Sequence, residues 1–145
     1  MAPIDGVIAA LKAEPAIAAV CGARVFDRDI RQDGEVAVPE AFDPVDHTVL
    51  SSLVVLDGGE MRNPFGAAIG IGMLHILVIA PGTAVGWDGV PALGGEVIRT
   101  LEGWQDGVAG ATLRFANRLG RRRIDGEARD RLTFQVSSVL PTMRW

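Results

Sequence analysis

Two histidines, His47 and His75, are the candidates for the base of a nucleophilic triad, which requires a nucleophile, a histidine and an orienting carboxylate brought together. Neither histidine lies in a catalytic motif, and His75 stands inside an apolar run that is typical of a core or interface position. We therefore expect no catalytic residues and no enzymatic activity. A small cytosolic enzyme or ligand-binding domain that uses either histidine is kept as an alternative.

Metal ligands are equally sparse. His47 adjoins Asp43 and Asp46, but no second histidine or cysteine completes a ligand set, so a solvated loop is the favoured interpretation. The carboxylates of this stretch do not have the spacing of an EF-hand. Cys21 is the single cysteine, which excludes an intrachain disulfide and fits a reducing compartment. We expect no bound metal and no cofactor.

The largest charge asymmetry lies in residues 118–131, in a chain whose net charge is -4. Six arginines fall there: Arg118, Arg121, Arg122, Arg123, Arg129 and Arg131. Neighbouring carboxylates offset part of this charge, and no aromatic residue is interleaved to stack on bases. Two interpretations stay open, a self-paired hairpin tip or a patch facing DNA or an acidic subunit. The patch would consist of Arg121, Arg122 and Arg123.

The composition is that of a single globular domain. The chain has 145 residues, of which 48% are hydrophobic and 22% charged, so it can bury one core. The longest apolar run, 67–81, is interrupted by glycines and falls short of the roughly 20 residues that span a bilayer. Asp5 interrupts the first apolar stretch, so we expect no signal peptide and a soluble protein without a membrane partner.

Hydrophobic spacing predicts the elements. Apolar residues three and four apart predict a helix from Ile4 to Leu11, a short helical turn at 16–20 and a helix at 91–101. Alternation and apolar runs predict strands at 49–56, 69–79, 111–119 and 130–140, and a short strand begins at Arg24-Val25-Phe26. A long loop at 27–47 and a charged hairpin tip at 120–130 complete the single domain, 1–145. The predicted fold class is α+β, with two helices packed on one face of a mostly antiparallel four- to five-stranded sheet.

The order of these elements and several short segments resemble the tail terminator, or tail-completion and neck, family of siphophage-like particles and gene-transfer agents. The resemblance rests on LKAEPA at 11–16, AVCGARVF at 19–26, LEGW at 101–104 and DRLTFQV at 130–136. It spans most of the chain and includes no catalytic signature. The sequence departs from the family pattern between Phe26 and Thr48, where its segment is long, so the path of that loop stays open.

The resemblance implies a structural virion protein at the tail–neck junction, assembled in the host cytoplasm. It implies a hexameric ring that caps the tail tube, ends tube polymerisation and joins the tail to the head-side connector or stopper, with DNA passing without sequence specificity. A head–tail stopper or adaptor is the alternative within the particle. On this hypothesis the loops 27–47 and 57–66 contact neighbouring copies or the tube. The interface residues are Asp43, His47, Met61, Arg62, Phe65 and Trp145, although Trp145 could equally pack within its own chain.

Overall fold

The structure, a computed structural model, describes residues 4–62, 69–106 and 110–139, which form three α-helices and eight β-strands. The helices are α1 (Ile4–Ala13), α2 (Pro15–Cys21) and α3 (Ala84–Leu101). The strands are β1 (Val25–Phe26), β2 (Arg31–Gln32), β3 (Glu35–Val36), β4 (Ser52–Arg62), β5 (Ile69–Pro81), β6 (Thr112–Arg118), β7 (Arg122–Ile124) and β8 (Glu127–Val139). A 3-10 turn covers Pro39–Ala41.

Local sequence explains where the helices begin and end. Pro15 opens α2 in the first turn, where a missing N–H costs nothing, and Gly22 ends it at φ 57°, with its N–H donating to the carbonyl of Ala18. The hydroxyl of Thr83 caps α3 by accepting the N–H of Gly86 at 3.2 Å. The short turn predicted at 16–20 is therefore a full helix, which packs beside α1 and α3.

Helix α3 begins well before the predicted start. The sequence places Pro91 in the first helical turn, whereas the helix starts at Ala84 and carries Pro91 in its interior. An interior proline removes one backbone hydrogen bond, in this case the bond to the carbonyl of Trp87. The helix tolerates this loss because that carbonyl has another donor, described below.

The predicted fold class is wrong in its element counts and in the composition of its sheet. The main sheet has six strands in the order β1-β4-β5-β8-β6, with β7 also pairing with β8, and it is mixed because β1 runs parallel to β4. The described residues form three helices rather than two. The short strand expected from Arg24 is β1, but its parallel pairing with β4, with Val25 opposite Leu53, is a long-range contact that local periodicity does not show.

The main core lies between the three helices and one face of the sheet. Alternate residues of the central strands point into it, and the helices contribute one apolar stripe each. The larger fully buried side chains include Leu11, Ile17, Leu53, Leu74, Ile76, Leu101, Leu113, Leu132 and Phe134. Phe115 packs edge-on against Phe134, with ring centroids 5.7 Å apart. This layer fixes the positions of the strands that carry the surface arginines.

The opposite face of the sheet is partly covered by residues 27–47, named here the acidic segment. This segment contains the β2–β3 hairpin and the 3-10 turn, and its apolar side chains form a second core on β4 and β5. That core consists of Ile30, Val38, Ala41, Phe42, Val49, Val54 and Ile79. The segment predicted as a long loop is therefore tied to the sheet by burial.

Two Asp-Gly pairs form the tight turns of this fold. Asp33 and Gly34 join β2 to β3 with φ angles of 54° and 81°, and Asp125 and Gly126 join β7 to β8 with φ angles of 52° and 75°. Positive φ at both central positions is the geometry that two-residue hairpins require, and Asp-Gly adopts it at low cost. The charged tip at 120–130 is thus a β-hairpin.

Candidate interaction surfaces

The β7–β8 hairpin lies across the N-terminal half of α3, where two arginines hold one tryptophan. The guanidinium carbons of Arg121 and Arg123 lie 4.6 and 4.7 Å from the centroid of the Trp87 ring. Arg121 Nη1 also donates to the Trp87 carbonyl at 3.1 Å, the oxygen that Pro91 leaves without its helical donor. Arg123 Nη1 donates to the carbonyl of Gly82. Two of the three predicted patch arginines therefore bind their own chain.

A buried ion pair joins β6 to β8 beneath this hairpin. The Asp130 side chain is 1% exposed and accepts Arg118 Nε at 2.7 Å. Its second oxygen accepts the backbone N–H groups of Gly120 and Arg131, both at 2.8 Å. Arg118 crosses α3 at Gly94, where an added Cβ would lie 2.1 Å from Nη2. This buried carboxylate is fully paired, as its removal from water requires.

A second buried carboxylate, Glu127, ties the acidic segment to the start of β8. Its two oxygens accept Arg31 Nε and Arg129 Nη2, each at 2.9 Å, and only 3% of its side chain is exposed. Arg129 also reaches Asp29 at 3.4 Å, and the Arg31 guanidinium lies 4.7 Å from the centroid of the Phe42 ring. Sequence reasoning missed this network, because Arg31 and Glu127 are 96 residues apart.

The structure brings two predicted interface residues, Asp43 and His47, into one exposed turn. Asp43 Oδ1 accepts the backbone N–H groups of Val45 and Asp46 at 2.8 and 2.9 Å, and these bonds lower the pKa of its carboxyl. The N–H of His47 donates to the Asp43 carbonyl at 2.9 Å, with φ of His47 at 60°. These hydrogen bonds close the turn, in which Asp43 is half-buried and His47 is exposed.

Apolar side chains border this turn. Val45 is 81% exposed and Val36 is 50% exposed, so both side chains leave apolar surface in contact with water. A groove of about 290 Å³ lies beside them, lined by Val36, Pro39, Phe42, Asp43, Pro44 and His47. Exposed apolar surface of this kind, bordered by the polar side chains of Asp43 and His47, is typical of a contact surface rather than of a catalytic pocket.

His75 lies on the sheet face turned away from the helices. Its Nδ1 is 3.0 Å from the hydroxyl of Thr133 on β8, and its ring packs on Gly58, where an added Cβ would lie 2.7 Å from Nε2. Desolvation, and then the charge of Arg131, lower the pKa of His75 below its ordinary 6.5. A half-buried histidine with a hydroxyl partner fits the structural interpretation given to it from the sequence.

Cys21 lies in the core, as its interpretation as a small buried apolar residue requires. It is fully buried, and this burial raises the pKa of its thiol to about 11 although the charge of Arg24 acts in the opposite direction. Within residues 4–62, 69–106 and 110–139, no group of three His, Cys, Asp or Glu side chains could hold a metal ion.

Four predicted interface residues lie where little can be described. Met61 and Arg62 belong to β4, where their backbones pair with Ile71 and Gly70. Phe65 and Trp145 fall outside the described residues. The proposal that these four residues contact neighbouring copies therefore depends on the sequence alone.

Three exposed arginines share the sheet face turned away from the helices, on its β6, β7 and β8 half. The pairing places Arg114 opposite Gln135, Arg122 opposite Arg129 and Arg131 opposite Leu77, so all three project to the same side. In the described part of the chain, Arg114, Arg122 and Arg131 make no ion pair. We call these three residues the arginine face. Arg114 was not singled out in the sequence, because it lies outside the arginine-rich run.

The fold is shared with known structures from end to end. A chain in the structure of the virion of a native gene transfer agent particle is 22% identical, with a TM-score of 0.63, covering 96% of this chain and 99% of that one. A second solved chain is 12% identical, with a TM-score of 0.54 and coverage of 99% and 100%. No protein-family model and no curated protein sequence matches. These likenesses establish the fold.

Among the described residues, none of the helices combines the length and the apolar character needed to cross a bilayer.

Proposed function

We propose that this chain is a structural protein of a tailed-phage-like or gene-transfer-agent virion, and that it acts as the tail terminator. Copies form a ring, hexameric by the family resemblance, that caps the tail tube, ends its polymerisation and joins it to the head-side connector. The observation that carries the proposal is the full-length likeness in fold to a chain of a gene transfer agent virion. The order of elements read from the sequence points to the same class.

The surfaces support assembly rather than catalysis. Four titratable groups that catalysis could use are committed to structure: Glu127 and Asp130 hold arginines, Cys21 is buried and His75 contacts a hydroxyl. The exposed features are instead the turn around Asp43, which has apolar and acidic side chains, and the arginine face. Apolar and oppositely charged surfaces of this kind are common in protein–protein interfaces. We therefore propose a non-enzymatic role that requires no cofactor.

The partners proposed are other copies of this chain, the tube protein and the head-side connector. Asp43 and His47 contact a neighbouring copy or the tube, together with Met61, Arg62, Phe65 and Trp145. Of the lumen patch, Arg122 is the member free to meet passing DNA or an acidic partner, because Arg121 and Arg123 contact Trp87.

Electron microscopy and native mass spectrometry of the purified protein, with and without tail tubes of the same particle, test this function. We expect closed rings, either free or seated on one tube end. A protein that stays monomeric and leaves tubes bare at high concentration contradicts the proposal. Chemical cross-linking separates the related roles: cross-links to tube protein fit a terminator, whereas cross-links to portal or adaptor alone fit a stopper.

A further inference from the structure

The charged residues on the sheet face turned away from the helices are concentrated toward two opposite edges of the sheet. The acidic segment, 27–47, contains seven carboxylates and two arginines, whereas residues 114–131 contain seven arginines and three carboxylates. The segment follows β1, at one edge of the sheet, and packs on β4 and β5 beside it. The arginine face lies on β8 and on β6 and β7 at the opposite edge.

Internal pairing does not use up this charge. Glu127 and Asp29 bind Arg31 and Arg129, and Asp130 binds Arg118. Four exposed carboxylates of the acidic segment make no ion pair within the described residues: Asp33, Glu35, Glu40 and Asp46. The three residues of the arginine face are likewise unpaired there. Each of the two surfaces therefore presents charge that no ion pair within the described residues neutralises.

We propose that the arginine face of one copy binds the acidic segment of a second copy, in a head-to-tail contact. Arg114, Arg122 and Arg131 meet the carboxylates of Glu35, Glu40 and Asp46. This inference rests on the proposed function in that it names the contact between neighbours in the ring. It goes beyond the family resemblance because it names the surface of the neighbouring copy that the acidic segment meets.

The symmetry of the contact decides whether copies of the chain form a closed dimer or a ring. A two-fold contact would set the arginine face of each copy against the acidic segment of the other, which uses both surfaces at once and stops at a dimer. A head-to-tail contact places the β6 and β7 side of one copy beside the β1 and β4 side of the next, where the charges are opposite. Opposite charges on the two surfaces fit both arrangements, and the ring of the proposed function selects the head-to-tail one, in which each copy uses its arginine face with one neighbour and its acidic segment with the other.

One lateral edge of the sheet is open for such an approach. Strand β1 pairs with β4 through Val25 and Phe26 alone, so the outer side of β4 beyond Val54 has no ladder partner among the described strands. The outer edge of β6 is bonded to residues 102–106, so the contact on that side is made by side chains. The exposed Val36 and Val45 lie within the acidic segment and supply apolar area to the same contact. Charge selects the partner surface and apolar burial adds affinity.

A charge-swap experiment tests the contact. One variant carries Arg114→Glu, Arg122→Glu and Arg131→Glu, a second carries Glu35→Lys, Glu40→Lys and Asp46→Lys, and a third carries all six changes. Lys12→Glu, on the exposed side of α1, is the control. Self-association is measured by analytical ultracentrifugation and by ring formation on tail tubes, after circular dichroism shows that each variant is folded.

We expect each three-residue variant to associate at least about a hundredfold more weakly than the natural chain, because like charges then face each other. The six-residue variant, in which the charges are exchanged, should return to within about tenfold of the natural chain. An equimolar mixture of the two three-residue variants should associate although neither does so alone. The control should behave like the natural chain.

The neutral variants Arg122→Gln and Glu35→Gln keep the proposal testable should the larger sets fail to fold. Each should weaken association and reduce its dependence on salt concentration, since exposed charge pairs are screened by salt.

The outcomes separate this contact from the proposed function. Rings that form equally well with every variant would overturn the contact and leave the function standing. Salt-sensitive open chains that ignore tail tubes would support the contact and overturn the function. A six-residue variant that stays dissociated would overturn the contact. The contact would also be overturned if the arginine variants associate like the natural chain and lose only the binding of a double-stranded DNA oligonucleotide.

Discussion

Replacing Asp130 by asparagine should destabilise the fold strongly, because it leaves the buried end of Arg118 against an amide. The native carboxylate is 1% exposed and 2.7 Å from Arg118 Nε. An asparagine can still accept the N–H groups of Gly120 and Arg131, but it presents an N–H₂ group or a neutral oxygen to the guanidinium. The charge–charge attraction is lost while the shape is kept.

The magnitude follows from that geometry. Charges about 4 Å apart at an effective dielectric constant of about 20 attract by roughly 4 kcal/mol. Breaking a buried pair by removing one partner costs about 3–5 kcal/mol in other proteins. The Arg118 side chain is 32% exposed, so water regains part of it, and we expect a loss of about 3 kcal/mol in the free energy of unfolding. For a chain of this size the melting temperature should fall by about 6–12 °C.

Urea denaturation followed by circular dichroism measures this loss, at one fixed protein concentration because association would add apparent stability. A double-mutant cycle with Arg118→Gln should give a coupling of about 2 kcal/mol between the two positions, since the double variant contains no unpaired charge. Glu96→Gln is the matched control, because it breaks the exposed pair with Arg99 and should have no measurable effect. A cost for Asp130→Asn below about 0.5 kcal/mol, or strictly additive single effects, would refute the reasoning.

Three further predictions concern α3, the thiol and the sheet histidine. Gly86→Ala should lower the free energy of unfolding by about 2 kcal/mol or more, because its Cβ would lie 2.0 Å from the Pro81 carbonyl oxygen. Gly89→Ala in the same helix meets nothing within 4 Å and should raise the free energy of unfolding by roughly 0.5–1 kcal/mol. Thermal melts of the two variants test this difference, and equal melting temperatures would contradict it. Cys21, with a pKa of about 11, should resist a disulfide exchange reagent at pH 8 and react only in denaturant, and rapid labelling of the folded chain would be the contrary result. His75 has a lowered pKa, so its contribution to stability is complete above pH 6.5 and is lost as the pH falls below that value. In the His75→Gln variant, the free energy of unfolding should therefore fall less between pH 7.5 and 5.5 than in the natural chain. Identical profiles of unfolding free energy against pH would show the assignment to be wrong.

Regular periodicity in the sequence predicts the long strands well. Alternation over 111–119 and 130–140 corresponds to β6 and β8, and the apolar run from Ile69 corresponds to β5. The short strand expected from Arg24 corresponds to β1. The prediction missed the strands of two or three residues, β2, β3 and β7, and it started α3 too late. The first half of α3 contains Gly86, Gly89 and Pro91, which disfavour a helix, and the Trp87 carbonyl there accepts a bond from Arg121 instead.

Some missed features had a readable signal and others had none. The Asp-Gly pairs at Asp33 and Asp125 are strong hairpin signals, and they would have located β2–β3 and β7–β8. Local sequence did not show which arginines bind their own chain and which stay exposed. Alternation along a strand places Arg122 on the opposite face from Arg123, but the stacking of Arg123 on Trp87 depends on how the hairpin meets α3.

The central claim, that copies of this chain cap a tail tube, is tested most directly by locating them on the tube. Copies carrying a small affinity tag at the N-terminus, labelled with gold and mixed with tail tubes of the same particle, should appear in electron micrographs at one end of each tube, and capped tubes should no longer lengthen when tube subunits are added. Gold distributed along the tube walls, or absent from tubes that continue to grow, would contradict the account.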